Sequence, residues 1–305
     1  MVQYSHPLNI QMIKQPTPVT AEGYKLTWRQ RKLIVRACAN ENSIVFLPLR
    51  NQDMLVNCLK RSPITLIKLD LALGESRLKS WADACLSAEK PVYLRLHQNP
   101  SAPQKKRPQL WYMKRALDWA VAALLLILLS PMLLCLAGLI RMVSPGPIFF
   151  KQWRVGERGK LFQIIKFRTM IVGAERLHHQ LMCNQDGLHK LQDDPRITPL
   201  GRWMRKYSLD ELPQLLNVLR GEMSLVGPRP WALYDAVRIN PELQPRLNAL
   251  PGITGAWQVE SRSHLRDLNL VNRGDLKYLH TWSIKQDLKF LLLTIPKVLT
   301  GFGAY

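Results

Sequence analysis

WAVAALLLILLSPMLLCLAGLI, Trp119 to Ile140, is the stretch on which the fold turns: 22 residues without a charge. That length matches the roughly 20 apolar residues a helix needs to span a bilayer. Basic residues stand on both sides, Lys105, Lys106, Arg107, Lys114 and Arg115 before it and Arg141, Lys151 and Arg154 after it. Lys and Arg favour the cytoplasmic flank of a membrane helix, so a simple span conflicts with one of its own ends. Ser130-Pro131, halfway along, offers a resolution. Proline lacks a backbone donor and clashes with the preceding turn, so a helix bends or breaks there, and a serine hydroxyl can satisfy a freed carbonyl. A helix broken at its middle can enter and leave by one face, with both basic flanks in the cytoplasm. Prolines are also tolerated in ordinary kinked spans, so re-entry and spanning stand level on physics alone. A buried soluble core helix is a distant third, because the juxtamembrane basic cluster suits anionic lipid heads.

Upstream of this segment the pattern changes. TWRQRKLIVRACA reads as helix, SIVFLPL as strand, QDMLVNCLK as helix, ITLIKLDL as strand, ESRLKSWADACLSAE as helix and PVYLRL as strand. Helices alternating with short β-branched runs predict a small parallel α/β module over residues 1–100, free of any Gly-rich phosphate loop or metal cluster. SAPQKKRP, polar and holding two prolines, marks a linker over residues 101–110. No signal-peptide pattern opens the chain, and the five cysteines include no C-x-x-C pair, which predicts reduced thiols and a cytoplasmic N-terminus. The whole chain has 305 residues with 47% hydrophobic content, which excludes collagen-like and wholly disordered classes. Its 43 basic against 22 acidic residues leave +21, and that balance requires a polyanionic partner: nucleic acid, an anionic membrane face or phosphorylated small molecules.

Downstream, KQWRVGERGK leads into FQIIKFRTM, where a strand would put Ile164, Lys166 and Arg168 on one face as a candidate anion site. A solvated edge strand explains the same pair. Asp193 to Pro230 then reads DDPRITPLGRWMRKYSLDELPQLLNVLRGEMSLVGPRP. Ser208-x-x-Glu211 is a capping box that predicts a helix from Leu209, with Leu212, Leu215, Leu216 and Leu219 toward the core. The competing reading starts from Arg202, Arg205, Lys206 and Arg220, which surround Asp210 and Glu211 and predict that these carboxylates stay ionised. Adjacent carboxylates can hold Mg²⁺ together with substrate phosphates, and an ionised Asp can attack phosphorus. Pro228 and Pro230 restrict the backbone around Arg229, a guanidinium suited to bidentate phosphate binding or to a structural carboxylate.

These blocks, followed by PGITGAWQV and WSIKQDLKFLLLTIPKVLTGFGAY, resemble the bacterial sugar transferases, the monotopic phosphoglycosyl transferases that use polyprenyl phosphate. The resemblance covers about residues 110 to 305. It implies a re-entrant membrane helix over about 117–141, broken at Ser130 and Pro131, and a helix-rich α+β catalytic domain over 111–305 on the cytoplasmic face of the bacterial inner membrane. It also implies that Asp210 is a nucleophile, Glu211 a Mg²⁺ ligand or electrostatic partner, Arg205 and Arg229 phosphate ligands, and Asp287 a carboxylate supporting the site. Lys166 and Arg168 match the family's KFR element. The implied reaction takes a phosphosugar from a UDP-sugar through an aspartyl intermediate to undecaprenyl phosphate, releasing UMP. It would initiate exopolysaccharide or other surface glycan synthesis, with downstream glycosyltransferases as candidate partners and oligomeric state open. Two departures stand out: Ser261 occupies a position where the family usually has glycine, and the N-terminal module is neither the multi-helix membrane domain of long members nor absent as in small ones. A nucleotide-sugar hydrolase and a non-enzymatic basic membrane adaptor are the competing functions. Nucleic acid is disfavoured, since no zinc or RRM signature occurs and lipid and nucleotide phosphates already account for the charge.

Overall fold

The computed structural model describes residues 23–38, 51–96, 108–174, 194–239, 241–260 and 268–301. The SIVFLPL strand, most of the expected linker and Ser261 lie outside them.

The N-terminal unit is a four-stranded sheet in the order β1-β2-β3-β4. Strands β1 (Gly23–Arg29) and β2 (Lys32–Cys38) form an antiparallel hairpin, and β2, β3 (Leu66–Leu69) and β4 (Val92–Leu94) run parallel. The helix expected over TWRQRKLIVRACA is therefore a hairpin. Gln30 and Arg31 both take positive φ, 47° and 60°, as a two-residue hairpin turn demands, and burial then alternates at Leu33 and Val35 with the period of a strand. Helices α1 (Gln52–Arg61) and α2 (Gly74–Ser87) form where the pattern predicts them. Asn51 caps α1 by accepting from the Asp53 amide at 2.9 Å. Cys58, Cys85 and Cys135 are free thiols.

This unit shares one hydrophobic core with the strands downstream of the membrane segment. Leu69, Leu78, Trp81 and Leu94 pack in the same cluster as Trp153 and Val155 of β5 (Phe149–Val155), Leu161 of β6 (Leu161–Phe167), and Trp231 and Leu233. Strands β5 and β6 pair as an antiparallel hairpin, and Tyr93 of β4 bridges to Lys160 at its turn.

Helix α3 runs from Pro108 to Val143 without interruption. It is longer than the 117–141 expected from the resemblance, about 54 Å at the rise of an α-helix. It is the one helix among the described residues long and apolar enough to cross a membrane, with a mean hydropathy of 2.7 over an 18-residue window. The break expected at Ser130 and Pro131 is not a break in the helix. Pro131 deprives the Ile127 carbonyl of its usual donor, and the Ser130 hydroxyl supplies one instead at 2.8 Å. Leu124, Ile127, Leu128 and Leu134 are exposed, whereas Ala122 before the proline and Leu136 and Ile140 after it are buried against the domain.

The polar start of α3 is pinned from inside. Lys114 Nζ lies 2.8 Å from Asp287 Oδ2 and 3.6 Å from Asp118 Oδ1, with all three side chains under a tenth exposed. Asp118 accepts from the Ser224 hydroxyl at 2.7 Å and the Leu225 amide at 3.3 Å, which ties α3 to β7 (Ser224–Val226). Charges this deeply placed persist only when each has a partner.

Candidate active site

Three elements converge on the segment that carries Asp210 and Glu211. Strand β6 supplies Lys166. Helix α4 (Pro199–Lys206) is capped by Thr198, whose hydroxyl accepts from the Gly201 amide at 3.0 Å, and carries Arg205 in its last turn. Gly201 sits so close to Thr169 that a Cβ there would lie 2.1 Å from the Thr169 carbonyl oxygen. Arg205 Nε in turn donates to Thr169 Oγ1 at 2.8 Å. The chain then reverses through Ser208, at φ 54°, into a 3-10 segment, Leu209–Gln214, followed by helix α5 (Leu215–Leu219).

The capping box does not form. Ser208 makes no side-chain cap bond, because its left-handed backbone and Pro213 impose a 3-10 turn rather than an α-helical start. Burial follows accordingly: Pro213, Gln214, Leu215 and Val218 face inward, while Leu219 is exposed. Glu211 instead reaches Lys166, with Nζ to Oε1 at 2.7 Å. Asn217 sets that register: its Oδ1 accepts from the Ile165 amide at 3.0 Å and its Nδ2 donates to the Gln163 carbonyl at 2.8 Å. Asp210 is buried, and its pKa moves opposite to the sequence-based expectation, up from 3.8 to about 6. Desolvation is the largest cause, opposed by Lys166, reinforced by Glu211 and opposed again by Arg205. Burial outweighs the surrounding cations.

Arg229 follows β7 in the turn Gly227-Pro228-Arg229-Pro230. Strand β7 pairs in parallel with β8 (Gly252–Thr254), and a Cβ on Gly252 would fall 2.0 Å from the Gly227 amide nitrogen. The Arg229 guanidinium lies 4.4 Å from the Trp257 ring centroid and makes no ion pair among the described residues. The structural carboxylate nearby, Asp275, pairs instead with Arg246 at 2.6 Å. That pair grips the Arg229 backbone: Asp275 accepts its amide at 3.4 Å, and Arg246 donates to its carbonyl. A small open cleft joins Lys166, Glu211, Gln214, Arg154, Arg229 and Trp257.

Of the expected residues, Asp210 and Arg205 do not line this cleft but interact with the charges of Lys166 and Glu211 that do, and two others lie elsewhere. Strand β6 ends at Phe167, so Arg168 does not share the Lys166 face; it donates to the Ser144 and Pro145 carbonyls at the C-terminal end of α3. A cation there complements the helix dipole. Asp287 does not line the cleft. It accepts from Tyr278 at 2.6 Å and Trp282 at 3.1 Å and pairs with Lys114, so it braces α3 against the domain. Sequence patterns do not single out Arg154, Arg246, Asp275 or Trp257 for the site. Strand alternation in KQWRV could have signalled Arg154, since it sets that residue on the face opposite Trp153.

A family model described as bacterial sugar transferase matches residues 109–301. The chain belongs to the bacterial sugar transferase family. It is 45% identical over 203 residues to the UDP-glucose:undecaprenyl-phosphate glucose-1-phosphate transferase of Caulobacter vibrioides, covering 63% of this chain and 72% of that protein. It is 39% identical over 208 residues to the exopolysaccharide production protein ExoY of Sinorhizobium fredii, covering 65% and 91%. It is also 43% identical over 194 residues to the galactosyl transferase CpsE of Streptococcus agalactiae, but there the match spans 63% of this chain and only 43% of the relative. In this sugar transferase, residues 23–96 lie ahead of the matched region.

Proposed function

We propose that this sugar transferase moves a phosphosugar from a UDP-sugar to undecaprenyl phosphate, at the cytoplasmic face of the bacterial inner membrane, as a first step of exopolysaccharide or other surface glycan synthesis. The observation that carries this reading is a buried carboxylate, Asp210, that interacts with the charges of Lys166, Glu211 and Arg205, where Lys166 and Glu211 line a cleft that also contains Arg229. The relatives named for undecaprenyl-phosphate sugar transfer support it. In the first step an Asp210 oxygen attacks the β-phosphorus, and the bond to the bridging oxygen breaks, so UMP leaves with that oxygen. In the second, a lipid phosphate oxygen attacks the same phosphorus and frees Asp210. Only P–O bonds change, so the glycosidic configuration is kept. Lys166 and Arg229 offset charge on the phosphoryl oxygens, and removing such a preorganised contact costs about 10²–10³-fold in kcat.

The donor set fits Mg²⁺. Glu211 and Asp210 offer hard oxygens, and the described residues contain no three-ligand cluster, which suits an ion held by one or two carboxylates plus substrate phosphates. Glu211 would hold it, and the ion would neutralise phosphate charge. Because α3 is not broken, re-entry would need a bend at Pro131 within the continuous helix; burial on both sides of Pro131 against the same domain, with exposed apolar residues between and around them available to lipid, supports both ends lying at one membrane face.

UMP release from a panel of UDP-sugars, with and without undecaprenyl phosphate, tests the proposal in nanodiscs. UMP release beyond one equivalent of the protein is expected only with lipid. Repeated turnover without a lipid product would indicate hydrolysis, and no release with any donor would point to an adaptor.

The pH–rate profile carries a further expectation. Since Asp210 attacks as the carboxylate and burial holds its carboxyl above the usual range, kcat/KM should fall on the acid side, tenfold per pH unit once that carboxyl is protonated. In the metal-free protein, Glu211→Gln removes the like charge that raises Asp210 and releases Lys166 to lower it, so the Asp210 carboxyl should titrate at lower pH when followed by NMR. Arg229→Lys keeps the charge and loses the planar stack on Trp257. Donor KM should rise about 3- to 30-fold, with the thermal midpoint unchanged within a degree or so.

A further inference from the structure

The N-terminal sheet unit touches the strand that carries Arg154 into the cleft. Consecutive residues of β5 face opposite ways. The Trp153 indole N–H donates to Asp83 Oδ1 of α2 at 2.7 Å, while Arg154 lines the cleft and donates through Nη1 to the Pro230 carbonyl at 3.0 Å, the last residue of the Arg229 turn. Trp153 is 6% exposed and Arg154 8%, so neither has room to re-orient alone. The same junction is fixed at two further points. The Val155 amide donates to the Trp231 carbonyl at 3.0 Å, and the Gly159 turn lies so close to the end of β4 that a Cβ there would be 2.9 Å from the Leu94 carbonyl oxygen. Trp153, Val155, Trp231 and Leu233 share their core with Trp81 and Leu78 of α2.

We propose that the N-terminal unit is a fixed support for the phosphate cleft, with Asp83 a positioning residue that sets Arg154 through Trp153. The ligand in question is the diphosphate of a nucleotide, so the inference rests on the transfer reading for its biological meaning. Its test does not require turnover. A diphosphate needs Arg154 and Arg229 held at a set separation, and the Pro230 carbonyl is the link between them. Losing the Asp83 acceptor lets Trp153 shift along β5 and takes Arg154 with it.

The experiment measures UDP binding by calorimetry on full-length protein in nanodiscs, alongside thermal midpoint and donor kinetics. Asp83→Leu is expected to weaken UDP about tenfold, the scale of one misplaced contact to a charged group. Asp83→Asn keeps the acceptor and should bind within about twofold of wild type. Trp153→Phe removes the indole donor while keeping an aromatic ring in the core, and should reproduce the loss should Asp83→Leu fail to fold. Combined with Arg154→Lys, Asp83→Leu should add no further loss, because both act through one guanidinium. In kinetics, donor KM should rise with kcat little changed. Unchanged UDP affinity in both Asp83→Leu and Trp153→Phe, or full additivity with Arg154→Lys, would overturn the proposal. A wild type that binds UDP with this mutational pattern but releases no UMP from any donor would leave the support standing and sink the transfer reading. A wild type that does not bind UDP would sink both.

Discussion

Asp210→Asn is expected to abolish UMP release, by roughly 10⁴-fold or more, and at the same time to stabilise the protein. The first effect follows from removing the nucleophile while keeping the side-chain shape. The second follows from the direction of the pKa shift. Folding raises Asp210 from 3.8 to about 6, so the folded state binds this proton more tightly than the unfolded chain. Its contribution to stability is therefore fully present below about pH 3.8 and is lost as pH rises through about 6. At pH 7.5 the buried carboxylate is a cost, on the order of 1–3 kcal/mol. Asparagine carries no charge to desolvate, and Glu211 still neutralises Lys166. A thermal midpoint a few degrees above wild type at pH 7.5, with the gain shrinking toward pH 4, is the expected pattern. Equal midpoints at both pH values would mean that the carboxylate is not strained by burial. The combination of lost activity and gained stability is what a functional buried charge leaves behind.

Asp287→Ala should do the reverse. It leaves Lys114 Nζ inside the protein with Asp118 at 3.6 Å as its remaining carboxylate, and it strips Tyr278 and Trp282 of their acceptor. Breaking a buried pair from one side costs on the order of 3–5 kcal/mol. The midpoint should fall by roughly 10 °C. Activity per folded molecule should stay within a few-fold of wild type, because Asp287 is taken up by Lys114, Tyr278 and Trp282 at the start of α3. A variant that folds as well as wild type and yet loses turnover would instead make Asp287 part of the chemistry. Adding Lys114→Met should recover part of the lost stability, since an uncompensated charge is worse than an apolar pair.

The sequence made some of this legible and hid the rest for physical reasons. The apolar run, the strand around Lys166, helices α1 and α2 and the Asp210-Glu211 pair are local patterns, and each is found where its period or composition puts it. The β1–β2 hairpin was hidden because its turn, Gln30-Arg31, contains none of the Gly or Asn that usually marks positive φ. Asp210's upward shift was hidden because cations are visible in sequence and desolvation is not. Arg168 and Asp287 are charged residues near functional motifs, and only packing distinguishes a ligand-binding charge from one that holds the ends of α3. Arg246 and Asp275, 29 positions apart, pair across the fold to hold Arg229, and no local spacing signals such a clamp. The N-terminal unit reads as a separate module by its alternation of elements, yet its core continues into β5 and β6.

The central claim is that Asp210 carries the phosphosugar between donor and lipid. Mixing the protein with UDP-sugar in the absence of undecaprenyl phosphate, then quenching and digesting with trypsin, tests it directly by mass spectrometry. The account predicts a burst of UMP equivalent to the protein present and a phosphosugar mass on the peptide Tyr207–Arg220, located at Asp210 and missing in Asp210→Asn. UMP released only when lipid acceptor is present, with the peptide unmodified throughout, would contradict it.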